Sequence, residues 1–195
     1  MPVKGTVSLP NDAHFQRLKE LFLSRAVSFG EFTLSSGKKS NYYINSKNVL
    51  FCSEAVASIG ELLFEKTKDD NIAAIGGLEV GAIPMATAAV MSYHYHGKPM
   101  EGFFVRKEAK GHGGKQTIEG TLIRGSRVAI VDDVLTTGNS ALRAIEQVEK
   151  AGAQVACVIC IVDRLQGAAQ ALAPYDFRPL YTIHDLGLMV DHLNQ

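Results

Sequence analysis

The chain of 195 residues has no tryptophan, only three cysteines and six prolines, and no excess of either charge, because 20 Lys and Arg balance 20 Asp and Glu. Each shortage excludes something. A formal charge of zero gives no global attraction to nucleic acid or to an acidic membrane, so any anion binding must arise from a local arrangement of charge. The most apolar stretch, Val155 to Val162, is eight residues long, far below the roughly 18 needed to span a bilayer. Behind Met1-Pro2-Val3-Lys4 no apolar run follows, so no secretory signal is expected and the location is read as cytoplasmic. Cys157 and Cys160 lie three apart in a β-rich run. Positions three apart on a strand face opposite sides, so these two are packing residues and not a redox or metal pair. No Gly-x-Gly-x-x-Gly follows a strand and no Gly-x-x-x-x-Gly-Lys-Ser/Thr loop is present, which removes the common dinucleotide and nucleoside-triphosphate sites.

What remains is an ordinary globular composition, 46% hydrophobic and 21% charged, in a length that suits one domain at about 150 residues per domain. Phe15, Leu18, Leu21 and Phe22 recur at helical spacing behind Asn11 or Asp12, which predicts a helix over 12–26. Residues 30–45 read as two short aromatic strands around a Ser-Gly turn, a small hood. Val56, Ile59, Leu62 and Leu63 predict a helix over 53–68. Strands are then expected over 72–77, 101–107, 127–131, 154–162 and 180–185, with a helix opened by Pro84 and another from Ser140 to Ala151. Apolar strands without polar alternation, separated by helices, indicate a parallel sheet covered on both faces, an α/β doubly wound class. Ligands of such sheets sit beyond the carboxyl ends of the strands, so the residues that follow each strand are the candidates.

The strongest signal runs from Val128 to Ser140. Four apolar residues lead into Asp132 and Asp133, then Val134 and Leu135, then a turn of Thr136, Thr137 and Gly138, with Asn139 or Ser140 as the expected cap of the next helix. Two carboxylates at the end of a buried strand are costly unless sugar hydroxyls, a cation or both meet them. A small hydroxylated turn at a helix N-terminus offers backbone N–H groups and hydroxyls to a phosphate monoester. Acids for a ribose and amides for its 5′-phosphate describe a ribose-phosphate site. The segment resembles the phosphoribosyl-diphosphate motif of the type I phosphoribosyltransferases. That resemblance implies their fold, a mostly parallel central sheet flanked by helices with a small N-terminal hood, here about residues 1–50 over a core of about 51–195 in one domain. It also implies that Asp132 and Asp133 hold the ribose hydroxyls while Thr136 to Ser140 hold the phosphate.

A second segment breaks the charge balance locally. Between Arg106 and Lys115 four Lys or Arg face a single Glu among three glycines, and a glycine-rich cationic loop after a strand is a candidate lid over an anion. Its run Arg-Lys-Glu-Ala-Lys-Gly-His-Gly resembles the catalytic loop of the orotate phosphoribosyltransferases. So do the hood segment 29–42, the turn Gly77 to Pro84, and Val162-Asp163-Arg164 with Gly167. The resemblance implies that Arg106, Lys107, Lys110 and His112 contact the diphosphate as catalytic residues. Thr136 and Arg164 would contact orotate, and the backbone at Tyr43 and Ile44 would pair with the base. Mg²⁺ would be held through diphosphate and ribose without a direct protein ligand, in a homodimer whose 106–116 loop is shared between subunits. Ser35, Val80 and Ile44 depart from the residues common in that family, and Lys38 or Lys39 would stand in for a missing hood lysine.

The expected function is therefore transfer of the 5-phosphoribosyl group from phosphoribosyl diphosphate to orotate, giving orotidine 5′-monophosphate in pyrimidine biosynthesis, with no nucleic-acid or membrane partner. Two alternatives differ in class. One is a phosphoribosyltransferase for another base; the other is a non-catalytic nucleotide sensor that binds RNA or DNA, for which a broad basic face would be required.

Overall fold

In the computed structural model, residues 11–33, 39–108 and 117–189 are described. A helix α1 (Asn11–Arg25) leads into a two-stranded antiparallel hood of β1 (Val27–Thr33) and β2 (Lys39–Ile44), followed by one turn of helix α2 (Lys47–Leu50) and by α3 (Ser53–Thr67). The rest alternates: β3 (Ala74–Leu78), α4 (Ala82–Tyr95), β4 (Glu101–Val105), β5 (Ile118–Gly120), β6 (Arg127–Leu135), α5 (Asn139–Lys150), β7 (Gln154–Asp163), α6 (Ala168–Ala171) and β8 (Tyr181–Thr182). Six strands form one sheet in the order β5-β4-β3-β6-β7-β8, parallel except for β5.

The strands are buried on both faces because their alternate residues feed two separate cores. Along β6, Val128 and Ile130 pack with α5 while Ala129 and Val131 pack with the layer of α1, α3 and α4. Cys157 and Cys160 divide in the same way, one to each core, as expected for positions of opposite parity. In α5 the apolar face is Ala141, Ala144, Ile145 and Val148, the i, i+3, i+4, i+7 pattern of a helix lying on a sheet. Burying a side chain such as Ile145 contributes ~1.5–3 kcal/mol. From β3 the chain first winds outward to β4 and β5, then returns to place β6 on the other side of β3. That reversal opens a crevice beyond the carboxyl ends of β3 and β6.

Several boundaries differ from the sequence expectation. The edge strand β5 was not foreseen; three residues carry too little pattern to be read as a strand, and its pairing with β4 supplies what its length cannot. The strand expected over 180–185 shortens to Tyr181–Thr182, because the Asp185 carboxylate accepts from the Thr182 N–H and hydroxyl at 2.7 Å and turns the chain. Helix α4 starts at Ala82, so Pro84 lies inside its first turn, where a missing N–H costs nothing. Neither Asn139 nor Ser140 caps α5. The cap is Gly138 at φ 83°, a left-handed conformation that glycine adopts without strain, and both other residues enter the helix. The hood turn at 34–38 lies outside the described residues.

Candidate active site

Strand β6 continues past its apolar run through both acids to Leu135, so the pleat sends Asp132 and Asp133 to opposite faces. Both are buried. Asp132 shares the parity of Val128 and Ile130 and turns to α5, where Ser140 Oγ donates to its Oδ2 at 2.5 Å and the Asp133 N–H donates to its Oδ1 at 2.9 Å. Ser140 therefore serves the acid instead of the helix terminus. Asp133 shares the parity of Ala129 and Val131 and turns to the hood side. Its Oδ2 accepts from Lys47 Nζ at 2.8 Å and from Ser46 Oγ, and its Oδ1 accepts from the Val134 N–H at 2.9 Å.

The two carboxyls differ electrostatically. Burial, and then the neighbouring Asp133 charge, push Asp132 up from its ordinary 3.8 to about 7. Burial acts on Asp133 in the same direction, but the hydrogen bonds from Lys47 and Ser46 together with the Lys47 charge outweigh it and hold that carboxyl below the ordinary value. At neutral pH the site thus contains one firmly ionised acid and one poised near its titration point.

The turn after β6 is fixed from both ends. Gly138 O accepts from the Leu142 N–H, and Thr136 O accepts from the Ala168 N–H of α6, each at 3.0 Å. Thr137 and Asn139 are exposed and Thr136 is half-buried. Across the crevice Gly81 presses against Asp133: a Cβ there would stand 2.5 Å from Asp133 Oδ1. Arg164 leaves the end of β7, its N–H bonded to Leu135 O at 2.9 Å, and is buried. Its guanidinium lies 5.2 Å from the Tyr42 ring centroid and reaches the Tyr42 hydroxyl at 3.4 Å, while the Asp163 carboxylate accepts from the Leu165 N–H at 2.8 Å. The Arg164 guanidinium thus meets the hood through Tyr42.

The cationic loop is rooted beside the same crevice. The Arg106 N–H bonds Thr117 O at 2.8 Å, closing the base of the β4–β5 connection. The Arg106 guanidinium stands 3.7 Å from Glu119 on β5. At Lys107 the N–H bonds Glu79 Oε1 at 2.8 Å and the carbonyl accepts from Arg143 at 2.9 Å, so the loop root touches both the turn after β3 and helix α5. Lys110, His112, Ser35 and Lys38 lie outside the described residues. In the hood, Tyr43 pairs with Ser28 and Ile44 with Val27, and Tyr43 points outward. Val80 is exposed in the turn after β3 and Lys39 is exposed in β2.

Tyr42, Glu79 and Gly81 are marked in the sequence only as members of segments that resemble the family, without individual roles, and Ser46 and Lys47 are not marked at all. In β2 the alternation that buries Ser40 and Tyr42 on one parity is the local signal for Tyr42. Nothing in the local sequence marks Lys47 as the partner of Asp133, 86 residues away. Among the described residues no group of three or more His, Cys, Asp or Glu could cage a metal ion. One ionised acid already paired to a lysine, beside a poised neighbour, fits a Mg²⁺ held chiefly by substrate oxygens and water. Among the described residues no helix is long and apolar enough to cross a membrane.

A doubly wound sheet with an Asp-Asp strand end and a Thr-Thr-Gly turn at its switch point defines the class: the phosphoribosyl transferase domain model matches residues 46–178. Within that class, several relatives at about 40% identity are orotate phosphoribosyltransferases. The orotate phosphoribosyltransferase of Bradyrhizobium diazoefficiens is 44% identical over 171 residues, 85% of this chain and 91% of that protein. The Mycobacterium tuberculosis orotate phosphoribosyltransferase, solved with Fe(III) dicitrate, superposes with a TM-score of 0.80 at 41% identity, covering 90% of this chain and 99% of that one. The same enzyme solved with 5-phospho-α-D-ribosyl 1-diphosphate gives 0.76 at 37% identity and the same coverage. The chain belongs to the orotate phosphoribosyltransferase family, the glycosyltransferases of pyrimidine biosynthesis.

Proposed function

We propose that the chain acts as a single phosphoribosyltransferase domain that transfers the 5-phosphoribosyl group from phosphoribosyl diphosphate to orotate, releasing diphosphate and forming orotidine 5′-monophosphate. The observation that carries this reading is the β6 strand end, where Asp132 and Asp133 are buried at the crevice between β3 and β6 directly before the turn 136–140. A relative solved with phosphoribosyl diphosphate supports the same ligand class for this chain.

In this reading Asp133 and Asp132 accept the ribose hydroxyls, and the backbone and hydroxyls of Thr136, Thr137, Gly138, Asn139 and Ser140 take the 5′-phosphate at the start of α5. Arg164, Thr136 and the backbone near Tyr43 and Ile44 orient orotate; a guanidinium suits a carboxylate because its planar fork meets both oxygens. Arg106, Lys107, Lys110 and His112 stabilise the charge that accumulates on departing diphosphate. Mg²⁺, when bound through the substrate, adds to that stabilisation. No covalent nucleophile is required, since departure of diphosphate leaves an oxocarbenium-like ribosyl centre that an orotate ring nitrogen captures. The protein supplies position, electrostatics and exclusion of water. A homodimer that shares its 106–116 loops, working in the cytoplasm, completes the reading.

The test is an ultraviolet assay of orotate loss with phosphoribosyl diphosphate and Mg²⁺, run beside hypoxanthine and adenine. Turnover of orotate alone is expected. Turnover of a purine in its place would assign the chain to another base, and no turnover of any base would favour a nucleotide sensor.

A further inference from the structure

The proposal of a phosphoribosyl-diphosphate site creates an electrostatic problem that the acids themselves cannot solve. A substrate carrying a 5′-phosphate and a diphosphate must settle against two buried carboxylates, so anions approach anions where their repulsion is stronger than in water. The structure contains an answer on an element outside the motif. Lys47, the first residue of α2, places its ammonium 2.8 Å from Asp133 Oδ2 and 3.3 Å from Ser46 Oγ, while Ser46 donates to the same carboxylate oxygen.

The contact leaves Asp133 available. Oδ2 is occupied by two donors from the hood side, whereas Oδ1 accepts one described bond, from the Val134 N–H. Gly81 packs its backbone against Oδ1, and any side chain there would press on the carboxylate, since a Cβ would stand 2.5 Å away. Because Lys47 and Ser46 bind Oδ2, a sugar hydroxyl that bonds Oδ1 does not have to dislodge Lys47. The lysine side chain is 51% exposed, so its charge faces the solvent from which an anionic substrate arrives.

Resting on the function proposed above, we infer that Lys47 is a positioning residue of the sugar site: it orients Asp133 through Oδ2 and offsets one of the two acidic charges that the anionic substrate must approach. It acts through Asp133 and is not itself the group that reacts. The consequence is selective. Loss of Lys47 should weaken phosphoribosyl diphosphate and leave orotate, which Arg164 and the hood receive, unaffected.

The experiment compares wild type, Lys47→Ala and Lys47→Arg by steady-state kinetics in both substrates and by calorimetric binding of phosphoribosyl diphosphate with Mg²⁺. Lys47→Ala should raise the KM and the dissociation constant for phosphoribosyl diphosphate about tenfold, with kcat and the orotate KM within about threefold of wild type. Lys47→Arg, which keeps the charge, should recover most of the loss. An equal rise in both KM values would mark a merely structural role and overturn the inference. Unchanged or tighter binding by Lys47→Ala would overturn it too, the latter making Lys47 a plug that substrate must displace. A wild type that turns over no orotate would defeat the underlying reading of function instead, so the two failures are separable.

Discussion

In the six-stranded sheet, the site acids stand where the strand pleat and two packed cores put them; in the hood, by contrast, side chains of an exposed ribbon reach across to the core to complete the site. Strand β1 is exposed at most of its positions, and what ties this ribbon down near the crevice is Tyr42, buried against Arg164, and the Ser46–Lys47 corner against Asp133. The acids thus draw their partners from opposite sides of the sheet: Ser140 of α5 meets Asp132, and Lys47 of the hood side meets Asp133. The difference shows how one buried strand end can carry two adjacent carboxylates. Each goes to a different face and a different donor, so one keeps its charge while the other is held near its titration point.

The sheet half of this comparison can be broken hardest. Under the proposed function, Asp132→Asn should lower kcat/KM by about a thousandfold, since it removes the ribose acceptor of that reading while Ser140 retains a partner. The same substitution should raise stability at high pH. Asp132 binds its proton up to about pH 7 in the folded chain and only to its ordinary value of 3.8 when unfolded. The native state therefore holds more protons between those limits, and stability falls as pH rises through that window. A wild-type melting temperature that declines from about pH 4 to pH 7, with the Asn variant flat and higher at pH 8, is the expected result. A wild type that gains stability over the same range would refute it. Asp133, with its lowered value, contributes in the opposite sense, and its stabilisation is lost only below the ordinary carboxylate range.

At the seam between the two regions, Gly81→Ala should have the next largest effect. Its new Cβ would meet Asp133 Oδ1 at 2.5 Å, so the carboxylate must swing away from its sugar-facing position, lowering kcat/KM by about a hundredfold with little change in the melting temperature. If activity survives unchanged, Asp133 is not held at that oxygen. In the hood, Tyr42→Phe removes the hydroxyl 3.4 Å from Arg164 but keeps the ring beneath the guanidinium. A bond that long is weak, so the orotate KM should rise only about threefold with the phosphoribosyl-diphosphate KM unchanged. Kinetics in both substrates would show whether the hood tie acts on orotate alone.

Much of the site was legible from local pattern because its chemistry is sequential. Asp132, Asp133 and the turn 136–140 are neighbours in the chain, and an apolar strand followed by acids and small hydroxylated residues signals itself. The opposite orientation of the acids was not legible, because the expected strand stopped at 131 and only the observed one carries its pleat on to Leu135. The cap of α5 was misread for a local reason: Asn139 and Ser140 are good caps by type, but the left-handed Gly138 had already ended the turn, and Ser140 was claimed by Asp132. Lys47 carries no such signal, and the segments that hold Gly81 and Tyr42 do not reveal which partner each meets, because those partners lie far along the chain.

The amino-acid sequence by itself determined the alternation of strands and helices, the sheet covered on both faces, and the strand end where two acids and a phosphate-suited turn converge, since hydrophobic periodicity and turn chemistry act over a few residues. Only the tertiary structure decided which donor each acid receives, which acid keeps its charge, and that Arg164 meets Tyr42. Those outcomes depend on distance through space and on burial. A net charge of zero has no bearing on either, and an 86-residue separation in the chain becomes a 2.8 Å contact only when the hood has docked against the sheet.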